Sequence, residues 1–311
     1  MTEMTTESSR AAGARRVVRA WVGLCLTLLA AAAGLRAAPA AAQEIMPYEF
    51  TPLPAGTNLA LGYYAYGHNT DYSIARGPTF RDSGLETHIG IARLVHYDEI
   101  AGIRGGVQVF QAFGGLQDAR IGGQRLEGAF GAQNIGLSAF AWPYINEASK
   151  TAVIVVGFLN PPTGTYDRFA PLNLGDNRVR GTVQVGLQQG FGEQFGLDLA
   201  YDAQFYGDND RPFPGGGVLS QGTTHRIQAW ANWRWNAAFT TSLGYTGTWG
   251  GEQRIDGILT GARTEIQRIR AHTGYFIDPT LQVGLELNHD LRAVGGFKQE
   301  FGAIVRVLKV F

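Results

Sequence analysis

From residue 57 onward, what most constrains the fold is side-chain polarity that changes with period two. Leu197, Leu199, Tyr201, Ala203 and Phe205 alternate with Asp198, Ala200, Asp202, Gln204 and Tyr206. Ile227, Ala229, Ala231, Trp233 and Trp235 alternate in the same way with Arg226, Gln228, Trp230, Asn232 and Arg234. Leu281, Val283, Leu285 and Leu287 face away from Gln282, Gly284, Glu286 and Asn288. In an extended chain, successive side chains point to opposite faces, so each set occupies one side of a sheet. Helical spacing is sustained nowhere, and the longest apolar run, Ala152 to Leu159, is too short for a membrane helix.

Strand-like stretches fall at 57–67, 85–97, 103–116, 127–144, 150–160, 178–192, 195–207, 223–236, 239–250, 263–277, 280–290 and 298–311. The faces of the first five are not assignable. Tight connections near 98–102, 146–149, 192–194, 236–238 and 278–279 take turns with long ones at 68–84, 117–126, 161–177, 208–222, 251–262 and 291–297. Twelve strands with alternating short and long connections are the pattern of an outer-membrane barrel, with short periplasmic turns and longer external loops. An even strand number puts both ends of the chain in the periplasm. Tyr97, Trp142, Tyr144, Phe191, Phe195, Trp233, Trp235, Tyr275, Phe276 and Phe311 flank the tight turns, as an interfacial aromatic belt would. The 43 glycines among 311 residues show no collagen period and suit a crowded, curving barrel wall. A soluble sandwich or closed ligand-binding barrel needs a packed apolar core, whereas the polar face here carries Arg226, Arg234, Arg268, Arg270 and Glu286.

The N-terminus explains how such a chain reaches that membrane. Arg10, Arg15, Arg16 and Arg19 precede the apolar stretch Ala20 to Leu35, and Ala40-Ala41-Ala42 offers a cleavage site before Gln43. Residues 1–42 are expected to be a signal peptide, 43–56 a periplasmic N-terminal segment and 57–311 the barrel. The whole chain balances 26 basic against 26 acidic residues; without residues 1–42 it has 21 and 24 and no cysteine. No disulfide framework is available, and the charge gives no hint of nucleic acid.

The block Gly157-Phe158-Leu159-Asn160-Pro161-Pro162-Thr163-Gly164-Thr165-Tyr166-Asp167, with Leu172-Asn173-Leu174-Gly175-Asp176-Asn177-Arg178 after it and Pro52-Leu53-Pro54-Ala55-Gly56-Thr57-Asn58 near the start, resembles the bacterial outer-membrane family named for the meta-pathway of phenol degradation. Members of that family are described as transporters. The resemblance implies a barrel and passage of aromatic or other small apolar compounds, and it carries over no catalytic or binding residue. Read as residues alone, Pro161, Pro162 and Gly164 end a strand and turn the chain, while Tyr166 and Asp167 open an outer loop. Pro162, Thr163, Gly164, Tyr166 and Asp167 are therefore the candidate constriction loop, since loops plug other barrels.

Charges on the inward face are the other candidates. Arg178, Arg180, Asp198, Asp202, Arg226, Arg234, Arg268, Arg270 and Glu286 are expected to line the lumen, where opposite charges on neighbouring strands can pair and also sort solutes. His272 shares the face of Arg268 and Arg270. Ser138, Ser242, His88, His225, His272 and His289 are scattered, and no G-x-S-x-G segment, phosphate loop or metal-spaced His pair occurs. Asp208-Asn209-Asp210 lacks the closing Glu of a calcium loop. The sequence thus leads to an all-β, twelve-stranded, up-and-down outer-membrane barrel of a Gram-negative bacterium, acting as a passive small-molecule channel rather than an enzyme. No cofactor is expected, and the expected partners are outer-membrane lipid, the barrel-assembly machinery and a small-molecule solute. The alternatives are a plugged barrel with a structural or surface-interaction role and, behind it, an outer-membrane hydrolase.

Overall fold

The computed structural model describes residues 44–311, so the expected signal peptide, residues 1–42, lies outside the described residues. Twelve long strands are present: β1 (Asn58–Ser73), β2 (Thr79–Ile100), β3 (Ile103–Ile121), β4 (Gly136–Asn146), β5 (Thr151–Asn160), β6 (Arg180–Phe191), β7 (Phe195–Tyr206), β8 (Thr224–Arg234), β9 (Phe239–Gly250), β10 (Thr264–Asp278), β11 (Leu281–Val294) and β12 (Gly296–Val310). Each pairs antiparallel with its neighbours in sequence, and β1 closes on β12 from Leu59↔Val310 to Ser73↔Gly296. The two ends of the wall are tied directly, Asn58 N to Phe311 O at 2.9 Å and Phe311 N to Asn58 O at 3.0 Å. Among the described residues no helix is long and apolar enough to cross a membrane. The strands cross instead, closed so that no edge is left in lipid.

Alternation sorts the side chains as the clear stretches require. Leu199, Tyr201, Ile227, Leu243, Leu285 and Leu287 are exposed on the outer wall, while Asp198, Asp202, Gln228, Thr246 and Glu286 are buried inside. The five strands whose faces the sequence left open are apolar on both sides. Leu94, Val107, Leu137 and Leu159 point to lipid, and Leu61, Ile91, Phe110, Ile154 and Phe158 point inward. One half of the lumen is consequently greasy and the other half ionic.

Two expectations are corrected. Tyr97 and Trp142 do not join the membrane belt, because both are buried in the lumen and stack on each other at 5.9 Å. Trp142 faces inward in step with Ser138 and Phe140, and the irregularity between Ala141 and Tyr144, where Pro143 has no N–H to give to the ladder, turns Tyr144 outward instead. Tyr144, Phe191, Trp235, Tyr275 and Phe311 do face outward. Second, the segments 68–84, 117–126 and 291–297 are not long loops. Their polar residues continue the ladders above the lipid, so β1 and β2 are joined by residues 74–78, and β11 and β12 by Gly295 alone. Polarity marks where strands leave the membrane, not where they end. The segment 43–56, whose place at the periplasmic mouth the sequence left open, lies inside the barrel from Glu44 to Phe50, with Ile45, Met46 and Phe50 among the most buried apolar residues.

Gly295 links the ends of β11 and β12, which there pair with β10 and β1 and not with each other, at φ +82°, and a Cβ on it would stand 1.5 Å from Arg263 O. Gly295→Val should therefore lose about 2–4 kcal/mol of stability in urea unfolding followed by tryptophan fluorescence. Gly296→Ala, where a Cβ meets nothing within 4 Å, serves as control and should change little. Equal loss in the two variants would contradict this account of the link.

Candidate functional site

The ionic half of the lumen is built from strand register. Arg226 on β8 stands opposite Asp202 on β7, and its Nε donates to Asp202 Oδ2 at 2.7 Å. Arg268 on β10 stands opposite Asp290 on β11, Nε to Oδ1 at 2.7 Å. Arg270 holds Glu286 through two bonds, Nε to Oε1 and Nη2 to Oε2, both 2.8 Å, while its guanidinium lies 4.5 Å over the Trp230 ring. Paired planar donors of this kind are the strongest form of Arg–carboxylate contact. Gln184 and Gln228 supply further donors to Asp202, at 2.5 and 3.0 Å. Arg226, Arg268 and Arg270 each have their own acid on a neighbouring strand, which is what burial of charge demands.

Two predicted lining residues sit off the membrane-level lumen. Arg178 precedes β6 in the loop, fully buried, bonded to Asp176 and Gln221 and stacked 4.5 Å over Tyr206. Arg234 is exposed at the short-turn mouth, 5.4 Å over the ring of Tyr48. Arg180, at the start of β6, reaches the same Asp176 at 3.5 Å.

The segment from Glu44 to Phe50 threads between the two halves and bonds to both. Asp198 Oδ2 accepts from Tyr48 N at 2.8 Å and from Asn232 Nδ2 at 2.8 Å, and Gln188 Nε2 donates to its other oxygen at 3.1 Å. Ile45 donates its N–H to Gln228 Oε1 at 3.0 Å, and its carbonyl accepts from Trp230 Nε1 at 2.9 Å. Across the lumen, Trp142 Nε1 donates to Phe50 O at 3.0 Å and Glu49 meets Arg93 at 2.6 Å. Phe50 packs against the wall at Gly186, where a Cβ would come within 2.3 Å of its ring. Glu44 leads the described segment and touches three arginines at once: Arg270 at 3.6 Å, Arg268 at 3.8 Å and Arg226 at 3.9 Å.

Above Glu44, toward the long loops, the lumen opens into a cavity of about 220 Å³. Glu44, Arg226 and Arg268 border it on one side, and Leu85, Ile89, Ile91 and Ile304 on the other. A larger recess of about 930 Å³ lies outside, bounded by lipid-exposed Leu94, Val107, Leu137, Leu159 and Val183. Its apolar walls belong to the bilayer face and not to a water path.

The candidate constriction loop has a different place. Pro162, Thr163, Gly164, Tyr166 and Asp167 do not border the cavity. Thr163 Oγ1 accepts from Ile135 N at 2.9 Å and Gly164 N donates to Asn134 Oδ1 at 3.0 Å, at residues 133–135 where β4 gives way to the short strand Ala129–Ala132. Tyr166 donates to Arg211 O at 2.7 Å, and Asp167 N bonds Asn173 Oδ1 at 2.7 Å. These residues brace the wall and loops; the lumen is narrowed by the N-terminal segment instead. Glu44, Tyr48, Glu49 and Phe50 were missed from sequence because a short segment without periodicity gives no register, and Arg93 because β2 is apolar on both faces.

The residues suited to catalysis do not assemble. His88 and His225 face the Tyr64 and Tyr201 hydroxyls at 2.7 Å, and Ser138 accepts from Gln108. Among the described residues no group of three or more His, Cys, Asp or Glu is placed to hold a metal ion.

Residues 65–304 match the model of the family described as "Putative MetA-pathway of phenol degradation". The chain belongs to that family. The matched span contains the block from Gly157 to Asp167 but not Pro52 to Asn58. Among solved structures, the COG4313 outer membrane channel from Pseudomonas putida F1 is similar over 86% of this chain and 100% of its own, with 28% identity and a TM-score of 0.81. The CymD monoaromatic hydrocarbon channel is 10% identical over 83% of this chain and 89% of its own, with a TM-score of 0.48. The NanC porin is 11% identical over 81% and 98%, with a TM-score of 0.46. Those two likenesses are too distant to carry function. No curated protein matches the sequence.

Asp198 gathers a wall strand, its neighbours and the inner segment onto one carboxylate. Asp198→Ala leaves three donors unmet and should lower protection of the amides of residues 45–50 by roughly 10–100-fold in hydrogen exchange, the loss of about 1–3 kcal/mol. Unchanged exchange there would mean that the segment is held by packing alone.

Proposed function

We propose that the chain is a passive outer-membrane channel for small molecules whose pathway is closed at rest by its own N-terminal segment. The observation that carries this is the division of the lumen into an open cavity above and a separable filling below. The filling is held by hydrogen bonds, ion pairs and packing, all of which can break without touching the wall ladder. Likeness to a protein described as an outer membrane channel supports the same reading. Arg180, Arg226, Arg268, Arg270, Asp198, Asp202 and Glu286 then border the path, and Arg178 and Arg234 stand at its two ends. Solutes would be selected by size and charge at a polar lining. Aromatic or other small apolar compounds are the class that the family description favours.

Delivery follows from the same reading. Residues 1–42 direct export and are removed, the barrel-assembly machinery inserts the strands, and outer-membrane lipid covers the outward belt. Lys309 at the periplasmic end of β12 bonds Thr280 Oγ1 at 2.5 Å, its stem along the wall and its amine at the interface.

The filled lower lumen also supports a second reading, a permanently plugged barrel with a structural role. Planar-bilayer recording separates the two. Wild type should show small conductance steps, and a variant lacking residues 44–53 should conduct severalfold more, because a twelve-stranded interior exceeds that of side-chain-filled eight-stranded barrels. Replacing Arg268 and Arg270 by Gln should alter ion selectivity in the shortened protein. A shortened barrel that folds yet passes neither ions nor solutes would sink the channel.

A further inference from the structure

We infer that the floor of the lumenal cavity is a binding site for a small amphipathic carboxylate, and that Glu44 occupies it as an internal stand-in. The inference rests on the channel reading for its biology but on separate geometry. Arg226, Arg268 and Arg270 already have tight partners at 2.7–2.8 Å in Asp202, Asp290 and Glu286. Glu44 approaches the same three guanidinium groups only to 3.6–3.9 Å. It adds a fourth carboxylate to three arginines, aligned by none of the short bonds that fix the others. A carboxylate held loosely by three oriented guanidinium groups can be exchanged for another, since Arg N–H forks suit any carboxylate.

The surroundings say what kind. Arg180 lines the same cavity, and its buried Nε makes no hydrogen bond, only a 3.5 Å ion pair with Asp176. On the facing wall Ile89, Ile91 and Ile304 offer apolar surface beside Asn69 and Thr87, and no charge. A ligand with one carboxylate and a compact apolar body satisfies both walls at once. A neutral apolar solute covers the greasy wall and leaves Glu44 in place, while a small hydrophilic acid satisfies the arginines and leaves the other wall wet. Because ligand and Glu44 compete for one set of donors, binding and release of the N-terminal segment are coupled, each weakening the other. No covalent step is involved.

Benzoate is the probe, with benzyl alcohol and acetate as its neutral and hydrophilic counterparts. Equilibrium dialysis against the full-length protein in micelles, corrected with empty micelles, should show benzoate bound at least about tenfold more tightly than either. Glu44→Gln, a change outside the barrel wall, should tighten benzoate on the order of tenfold by removing the competitor. Heat-modifiable gel migration confirms that the variant is folded, and Arg268→Gln in the same assay should weaken benzoate. Benzoate bound no better than benzyl alcohol or acetate, or an affinity indifferent to Glu44→Gln, would overturn the site. Conductance in potassium chloride reads the channel independently. A barrel that conducts but does not prefer benzoate loses only the carboxylate site, and one that prefers benzoate without conducting loses only the channel.

Discussion

Closure of the wall is the constraint from which the rest follows. In hydrocarbon an unpaired backbone N–H or C=O costs several kcal/mol, so a sheet of twelve strands is admissible only if its first and last members pair. The reciprocal bonds of Asn58 and Phe311 and the ladder from Leu59 to Ser73 meet that demand. Once the sheet is a cylinder, period two decides everything local: one side chain in two must suit lipid, and the next must suit whatever fills the inside. With twelve strands the inside is too wide for wall side chains alone to close and narrower than an open porin.

The interior meets that condition in two chemistries. On strands β7 to β11 the buried arginines Arg226, Arg268 and Arg270 each meet an acid across the ladder, because a lone guanidinium there would cost far more than a matched pair, while the Asp198 carboxylate is met by three neutral donors. On β1 to β5 the inward side is largely aliphatic and aromatic, crossed by one chain of polar groups, Glu49 to Arg93 to Gln108 to Ser138. The segment from Glu44 to Phe50 is amphipathic across this division. It gives Glu44 to the arginines of one wall, Glu49 to Arg93 of the other, and Ile45, Met46 and Phe50 to the packing between them.

What could be read from sequence follows the contrast between the two faces. Strands β7, β8, β9 and β11 were legible because lipid-facing Leu, Ile and Trp alternate with Asp, Gln and Asn. Strands β1 to β5 existed in the pattern without an orientation, since Ile91 inside and Leu94 outside are equally apolar. For the same reason Tyr97 and Trp142 were read as belt residues: an aromatic beside a short turn has the same spacing whether it faces lipid or lumen. The pairs Arg226–Asp202 and Arg268–Asp290 were within reach because a hairpin register ties their positions. The bonds from Ile45 to Gln228 and Trp230 span 183 and 185 residues, and no local pattern encodes such a contact.

The wall itself argues that the filling is meant to be separable. A lumen that needed only to be closed could be filled by larger side chains on the strands, as small barrels are. Here the strands recede instead. Gly186 presents no side chain where Phe50 lies, Asp198 turns its carboxylate toward the Tyr48 amide, and the Trp142 and Trp230 indoles donate to carbonyls of the segment and not to each other's strands. Most of these groups would be left unmatched in an empty barrel, which makes emptying it uphill. None of them belongs to the ladder, so emptying it leaves the cylinder intact. A closed wall with an uphill but non-destructive opening is what the proposed gate requires. Its height is set by the few contacts from Glu44 to Phe50, not by the stability of the barrel.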